Sequence, residues 1–132
     1  MSHRFPIRVY YEDTDMAGIV YYANYLRYIE RARSDWVRDI GIDQLQMKQD
    51  GVVFAVRRVE ADYLAPAHFD DVLEVRTTLV ELTPARMVME QKVLRGTDCL
   101  FVARVTIVCI GPGGRPVRLP AGLRSLPLSS GG

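Results

Sequence analysis

The sequence predicts an α+β domain in which one long helix packs on a five-stranded antiparallel sheet. Residues 24–40 carry apolar side chains at spacings of three and four, the stripe of an amphipathic helix. Residues 4–11 alternate as a strand does and 52–110 reads as strands separated by turn signals, so the order is strand, helix, then four strands. The chain has 132 residues and 15.0 kDa, room for a single domain spanning 1–132.

The first strand, RFPIRVYY at 4–11, alternates Phe5, Ile7 and Val9 with Arg4 and Arg8. EDTDMAG is a turn by composition. Asn24 is the expected N-cap of the long helix, whose stripe is Tyr25, Ile29, Ala32, Trp36, Val37 and Ile40. Arg27, Glu30, Arg31, Arg33 and Arg38 fall largely opposite, so Glu30–Arg33 is expected to be a solvated face. Gly41 suits the position just past a helix end, and a shorter helical segment runs from Asp43 to Lys48.

Residues 52–64 form the second strand, with Val53, Ala55, Val59, Ala61 and Tyr63 expected on one face and an interruption at Arg57. APAHFDD (65–71) is a loop, and strands 72–82 and 86–95 meet at Thr83-Pro84. RGTD (95–98) signals a hairpin into Cys99–Ile110. That strand is apolar on both faces apart from Arg104 and Thr106, so it is expected to be central and covered on both sides. The end of the chain, about 121–132 and closing on SSGG, is expected to fray in part. One helix cannot cover both faces and both edges of such a sheet, which predicts a homodimer or homotetramer.

Seventeen Lys and Arg against sixteen Asp and Glu leave a charge of +1, without the basic excess of a nucleic-acid binder. No apolar run is long enough for a transmembrane helix, and no secretory signal is expected from MSHRFPIRVYYED. Cys99 and Cys109, ten residues apart in one strand, would lie about 30 Å apart, too far for a disulfide. Reduced thiols fit a cytoplasmic protein, and two cysteines alone make a poor metal site. His3 near the terminus and His68 in a loop are expected to be solvated.

Residues 10–36 carry the chemistry. Glu12, Asp13 and Asp15 fall within four residues, ahead of a glycine turn and a helix start. A helix N-terminus offers amide N–H groups without intrahelical partners and a partial positive charge. A carboxylate beside such donors can assist acyl transfer, the donors polarising a carbonyl while the carboxylate attacks or activates water. Asp and Gly before a helix are also ordinary turn chemistry, so the residue types alone leave both readings open.

The string VYYEDTDMAGIVYYANYLRYIERAR resembles the signature of the hotdog-fold acyl-CoA thioesterases, specifically the 4-hydroxybenzoyl-CoA thioesterase and YbgC (Tol-Pal-associated) group. VVFAVRRVEADYLAPAHFDD (52–71) and RPVRLP (115–120) resemble downstream segments of the same family. The resemblance implies a hotdog fold, a central helix wrapped by the five-stranded sheet. It implies hydrolysis of an acyl-CoA to free acid and coenzyme A without metal or organic cofactor, coenzyme A being part of the substrate. Asp15 matches the family's catalytic carboxylate, Tyr22 the residue whose backbone N–H binds the thioester carbonyl, and Gly18 the turn glycine; Asp13 supports the turn. Many YbgC-type members carry His where this chain has Tyr22, a change that keeps the backbone donor and removes an imidazole. Arg57, Arg58 and Arg86 are candidates for the phosphates of coenzyme A, since guanidinium pairs well with phosphate. The alternative is a non-catalytic or weakly catalytic hotdog partner of acyl carrier protein or of lipid-synthesis enzymes; the intact DTD motif argues against it, because a pure binder has no need of Asp15.

Overall fold

Alternating residues at the start of the chain form β1 (Ser2–Arg8), which leads through a 3-10 turn (Tyr11–Asp13) to α1 (Asn24–Asp39) and α2 (Gln44–Gln49). Then follow β2 (Val53–Tyr63), β3 (Val72–Leu82), β4 (Arg86–Arg95), β5 (Asp98–Ile110), β6 (Pro116–Val117) and α3 (Ala121–Arg124). This is a computed structural model, and it describes residues 2–124 and 126. The antiparallel sheet runs β1-β3-β4-β5-β2, with β6 beside β5.

Six strands replace the expected five. β4 begins at Arg86, opposite Val108, so the last two residues of β5 lack a partner on that side. Pro116 and Val117 take that place, pairing with Ile110 and Cys109. The chain then continues into α3, burying Leu119 and Leu123, while the SSGG end lies outside the described residues.

α1 lies across β1, β3 and β4, burying Tyr25, Tyr28, Ile29, Ala32, Trp36 and Val37. Burying each of the larger of these side chains is worth about 1.5–3 kcal/mol. The helix ends where Gly41 takes φ +88°, a conformation costly for any residue with a Cβ. Asn24 is not the N-cap: Ala23 holds that position, and the Asn24 side chain bonds elsewhere. Asp43 caps α2, accepting from the amides of Leu45 and Gln46.

The interruption at Arg57 is a β-bulge, the register shifting between Val56 and Arg58. A bulge changes which face each later residue takes. Phe54, Val56, Val59, Ala61 and Tyr63 therefore pair across from the buried series Cys109, Ile107, Val105, Ala103 and Phe101. Val53 and Ala55 turn to the other face, against the single-face expectation. β5 is central as expected but covered on one side only, because Val102, Thr106, Val108 and Ile110 remain half-buried and Arg104 exposed. β2 forms an end of the main sheet, with Val53, Val56, Val59 and Tyr63 each 40% or more exposed. His3 is not solvated: its side chain is 10% exposed, and Nε2 lies 2.8 Å from Asp35 Oδ2 on α1.

Candidate active site

The DTD segment, expected as a turn, folds as one arm of a small hairpin. The Asp15 amide donates to Ile19 O at 2.9 Å, the Tyr21 amide donates to Asp13 O at 2.9 Å, and Thr14 bridges Val20 between them. The reversal is closed by the Gly18 amide donating to Asp15 O at 2.9 Å, with Gly18 at φ +78°. A Cβ on Gly18 would meet nothing within 4 Å, so the glycine is required by backbone conformation and not by space.

The three carboxylates stand in different surroundings. Asp13 Oδ2 accepts from the Tyr10 amide at 2.8 Å and Asp13 O from Asn24 Nδ2 at 2.9 Å, which ties the hairpin to both its entry and the helix. Asp15 is exposed, and its Oδ1 accepts from the Ala17 amide at 2.9 Å. Its Oδ2 has no hydrogen-bond partner among the described residues, and the side chain borders an open cleft with Tyr11, Met16 and Phe69. Glu12 is exposed on the 3-10 turn.

The second arm runs into the start of α1. The Asn24 amide donates to Tyr21 O at 2.8 Å, closing the first turn. Among the described residues the amides of Tyr22 and Ala23 have no hydrogen-bond partner. Tyr63, at the far end of β2, donates its hydroxyl to Tyr22 O at 3.0 Å. Asp15 and the Tyr22 amide are thus carried by opposite arms of one hairpin.

The 65–71 loop clamps this hairpin to the domain. The Val20 amide donates to Ala67 O at 2.9 Å, and the Ala67 amide donates to the Tyr25 hydroxyl at 3.0 Å. Asp71 anchors the loop, accepting from the His68 amide and from Arg95 Nη1, both at 2.8 Å. Burial acts to raise the Asp71 pKa, but these two donors outweigh it and hold the carboxyl below its ordinary value. His68 is exposed, as expected.

Two of the three candidate arginines come together. Arg57 and Arg86 line one cleft with Arg118, which follows β6. Arg86 Nη2 is held by Glu81 Oε1 at 2.7 Å, whereas Arg57 and Arg118 have no ion pair among the described residues. Arg58 is paired with Glu60 at 2.9 Å. Arg118 was missed in the sequence, although it sits in the RPVRLP segment. Asn24, Tyr63 and Tyr25 were also missed as supports of the hairpin; Asn24 and Tyr25 stand inside the quoted signature, and Tyr63 carries no local signal. Arg33 departs from the solvated face expected of it: it is half-buried, with Nη1 donating to Gln91 Oε1 at 2.9 Å.

A central helix against an antiparallel sheet is the architecture of the hotdog-fold thioesterases. Residues 9–126 match the thioesterase-like superfamily, and the chain belongs to that family. It is 39% identical over 118 residues to the acyl-CoA thioesterase YbgC of Haemophilus influenzae, covering 88% of this chain and 87% of that protein. It is 38% identical over 110 residues to the acyl-CoA thioester hydrolase YbgC of Escherichia coli, covering 83% and 82% of the two chains. A probable thioesterase from Bartonella henselae superposes with a TM-score of 0.87 at 39% identity, covering 91% of this chain and 100% of that one.

Proposed function

We propose that the protein hydrolyses acyl-CoA thioesters in the cytoplasm, with Asp15 as the reacting carboxylate and the Tyr22 backbone N–H as the oxyanion donor. One observation carries this reading: Asp15 keeps Oδ2 free at an open cleft, on the same hairpin whose other arm presents free amides. The carboxylate either adds to the carbonyl carbon, so that expulsion of coenzyme A leaves an anhydride that water then cleaves, or takes a proton from the water that adds. In both routes negative charge builds on the carbonyl oxygen, where the Tyr22 amide meets it. The C–S bond then breaks, and the coenzyme A thiolate takes up a proton. Carboxylate assistance is worth about 10²–10⁴ in rate and an oxyanion donor about 10²–10³.

The cleft of Arg57, Arg86 and Arg118 suits the phosphates of coenzyme A, three guanidinium groups around one opening. Arg58 contributes less, because Glu60 already neutralises it. The free β2 edge, with Val56, Val59 and Tyr63 exposed, favours a homodimer formed by pairing that edge with its copy. Acyl carrier protein thioesters remain a second form in which the same acyl groups could be presented. No helix among the described residues is long and apolar enough to cross a membrane.

The test is thiol release from a panel of acyl-CoA and acyl carrier protein thioesters, wild type against Asp15→Asn. Turnover of at least one acyl-CoA that depends on Asp15 is expected. A folded wild type inert towards the whole panel would overturn the reading in favour of a non-catalytic partner.

A further inference from the structure

A histidine and two aspartates come together away from the hairpin. His3 stands on β1, opposite Thr77 of β3, while Asp35 and Asp39 stand one turn apart at the end of α1. His3 Nε2 lies 2.8 Å from Asp35 Oδ2 and 3.4 Å from Asp39 Oδ2. One ligand atom from each of the three residues falls within 4.8 Å of the other two. The imidazole is held by the fold, its side chain 10% exposed, whereas the carboxylates, at 31% and 62%, are open to solvent.

These three side chains do not satisfy one another. Nε2 carries at most one hydrogen, and two carboxylates face it. Like charges four residues apart on a helix repel, and Asp39 ends α1, where the helix dipole disfavours an anion and favours a cation. Arg38 adjoins Asp39 in sequence, yet among the described residues no Lys or Arg lies within ion-pair distance of either carboxylate. His3 Nδ1 is buried and has no hydrogen-bond partner among the described residues. No donor on that side therefore locks the ring hydrogen onto Nε2. With the hydrogen on Nδ1, Nε2 turns a lone pair towards the two carboxylates. A cation satisfies all three acceptors at once.

We propose that His3, Asp35 and Asp39 form a divalent metal site of the zinc type, tying the start of β1 to the end of α1. One nitrogen and two oxygen donors suit Zn²⁺, whereas Mg²⁺ and Ca²⁺ take oxygen ligands. Bonds of about 2.0–2.1 Å at tetrahedral angles hold ligand atoms about 3.3–3.4 Å apart. The Asp39 separation of 3.4 Å meets that spacing, and the Asp35 oxygen would draw back by about half an ångström. Water completes the fourth position. The site is structural: the 16 residues of α1 put Asp39 about 22 Å from Asn24, which holds the hairpin.

The test takes the untagged full chain, strips it with EDTA and titrates it with ZnCl₂ by calorimetry and thermal unfolding. One equivalent per chain is expected, with Tm raised by at least about 3 °C when zinc stands a hundredfold above its Kd. MgCl₂ at the same concentration should leave Tm unchanged. Asp39→Asn keeps the His3–Asp35 pair, so it separates a metal site from a mere ion pair: the site requires zinc to bind at least about tenfold more weakly in this variant. His3→Gln should weaken zinc binding in the same way. A wild type that binds no zinc at millimolar concentration would overturn the proposal, as would zinc binding unchanged in both variants. An equal rise in Tm with Mg²⁺ would overturn the zinc assignment. If His3→Gln does not fold, Asp39→Asn still decides, because its side chain is exposed.

Discussion

Replacing Asp15 by Asn changes charge and basicity while leaving the hairpin its hydrogen bond. Asp15 contributes one contact to the fold, Oδ1 accepting from the Ala17 amide at 2.9 Å, and the Asn side-chain oxygen can accept the same bond. The residue is exposed, and the hairpin is also held by the Gly18–Asp15, Asp15–Ile19 and Tyr21–Asp13 backbone bonds. Stability should therefore stay within about 0.5 kcal/mol of wild type, as for a surface substitution that breaks no special feature. Catalysis should not be spared. A carboxamide neither attacks a thioester nor takes a proton from water at neutral pH, so kcat should fall by at least about 10² with KM changed much less. The assay is thiol release on the best acyl-CoA of the panel, beside urea unfolding of both proteins. Asp13→Ala is the contrasting variant: it removes the acceptor for the Tyr10 amide and should cost about 1 kcal/mol in stability. A folded Asp15→Asn enzyme as fast as wild type would refute the assignment of the carboxylate.

Tyr22→Phe should keep kcat within about tenfold, since the assigned donor is the backbone; a thousandfold loss would make the phenol the reacting group. Light scattering at micromolar concentration should give at least twice 15.0 kDa, and Val59→Lys on the exposed β2 edge should shift the protein towards monomer; a wild-type monomer would sink the paired-edge reading. Cys109 is fully buried, and that burial pushes its thiol up to about 11, so iodoacetamide at pH 8 should label it only after unfolding. The Asp71 carboxyl sits below its ordinary value when folded, so its contribution is present above the unfolded value near 3.9 and lost as pH falls through the lower folded one. Asp71→Asn should flatten the fall of the urea midpoint in that acidic window, and identical slopes in the two proteins would count against the assignment.

What was legible in the sequence is what repeats at short range. The stripe from Tyr25 to Val37 and the alternation of β3 and β4 are local periodicities, and the structure keeps them. The bulge announced itself as a break at Arg57, yet composition could not show that the residues before it would exchange faces. Arg33 and His3 looked like solvated charges because what covers them is distant: Gln91 lies 58 residues from Arg33, and Asp35 lies 32 from His3. Arg118 joins Arg57 and Arg86 only because β6 folds back along β5, a pairing of two residues too short to register as a strand. At the hairpin, Asp15 and Tyr22 could be named through resemblance, but the task of each backbone amide depends on which neighbours accept hydrogen bonds.

The bond from the Asn24 amide to Tyr21 O has an evolutionary side. A peptide unit is planar, and its carbonyl and N–H point in opposite directions. Fixing the Tyr21 oxygen at 2.8 Å therefore also fixes the direction of the Tyr22 hydrogen, with no contribution from the Tyr22 ring. The ring itself is 61% exposed and fills no place in the core. On the proposed reading, position 22 is thus a site where heredity can experiment: Tyr, His or another side chain can stand there while the backbone N–H beneath it keeps its direction.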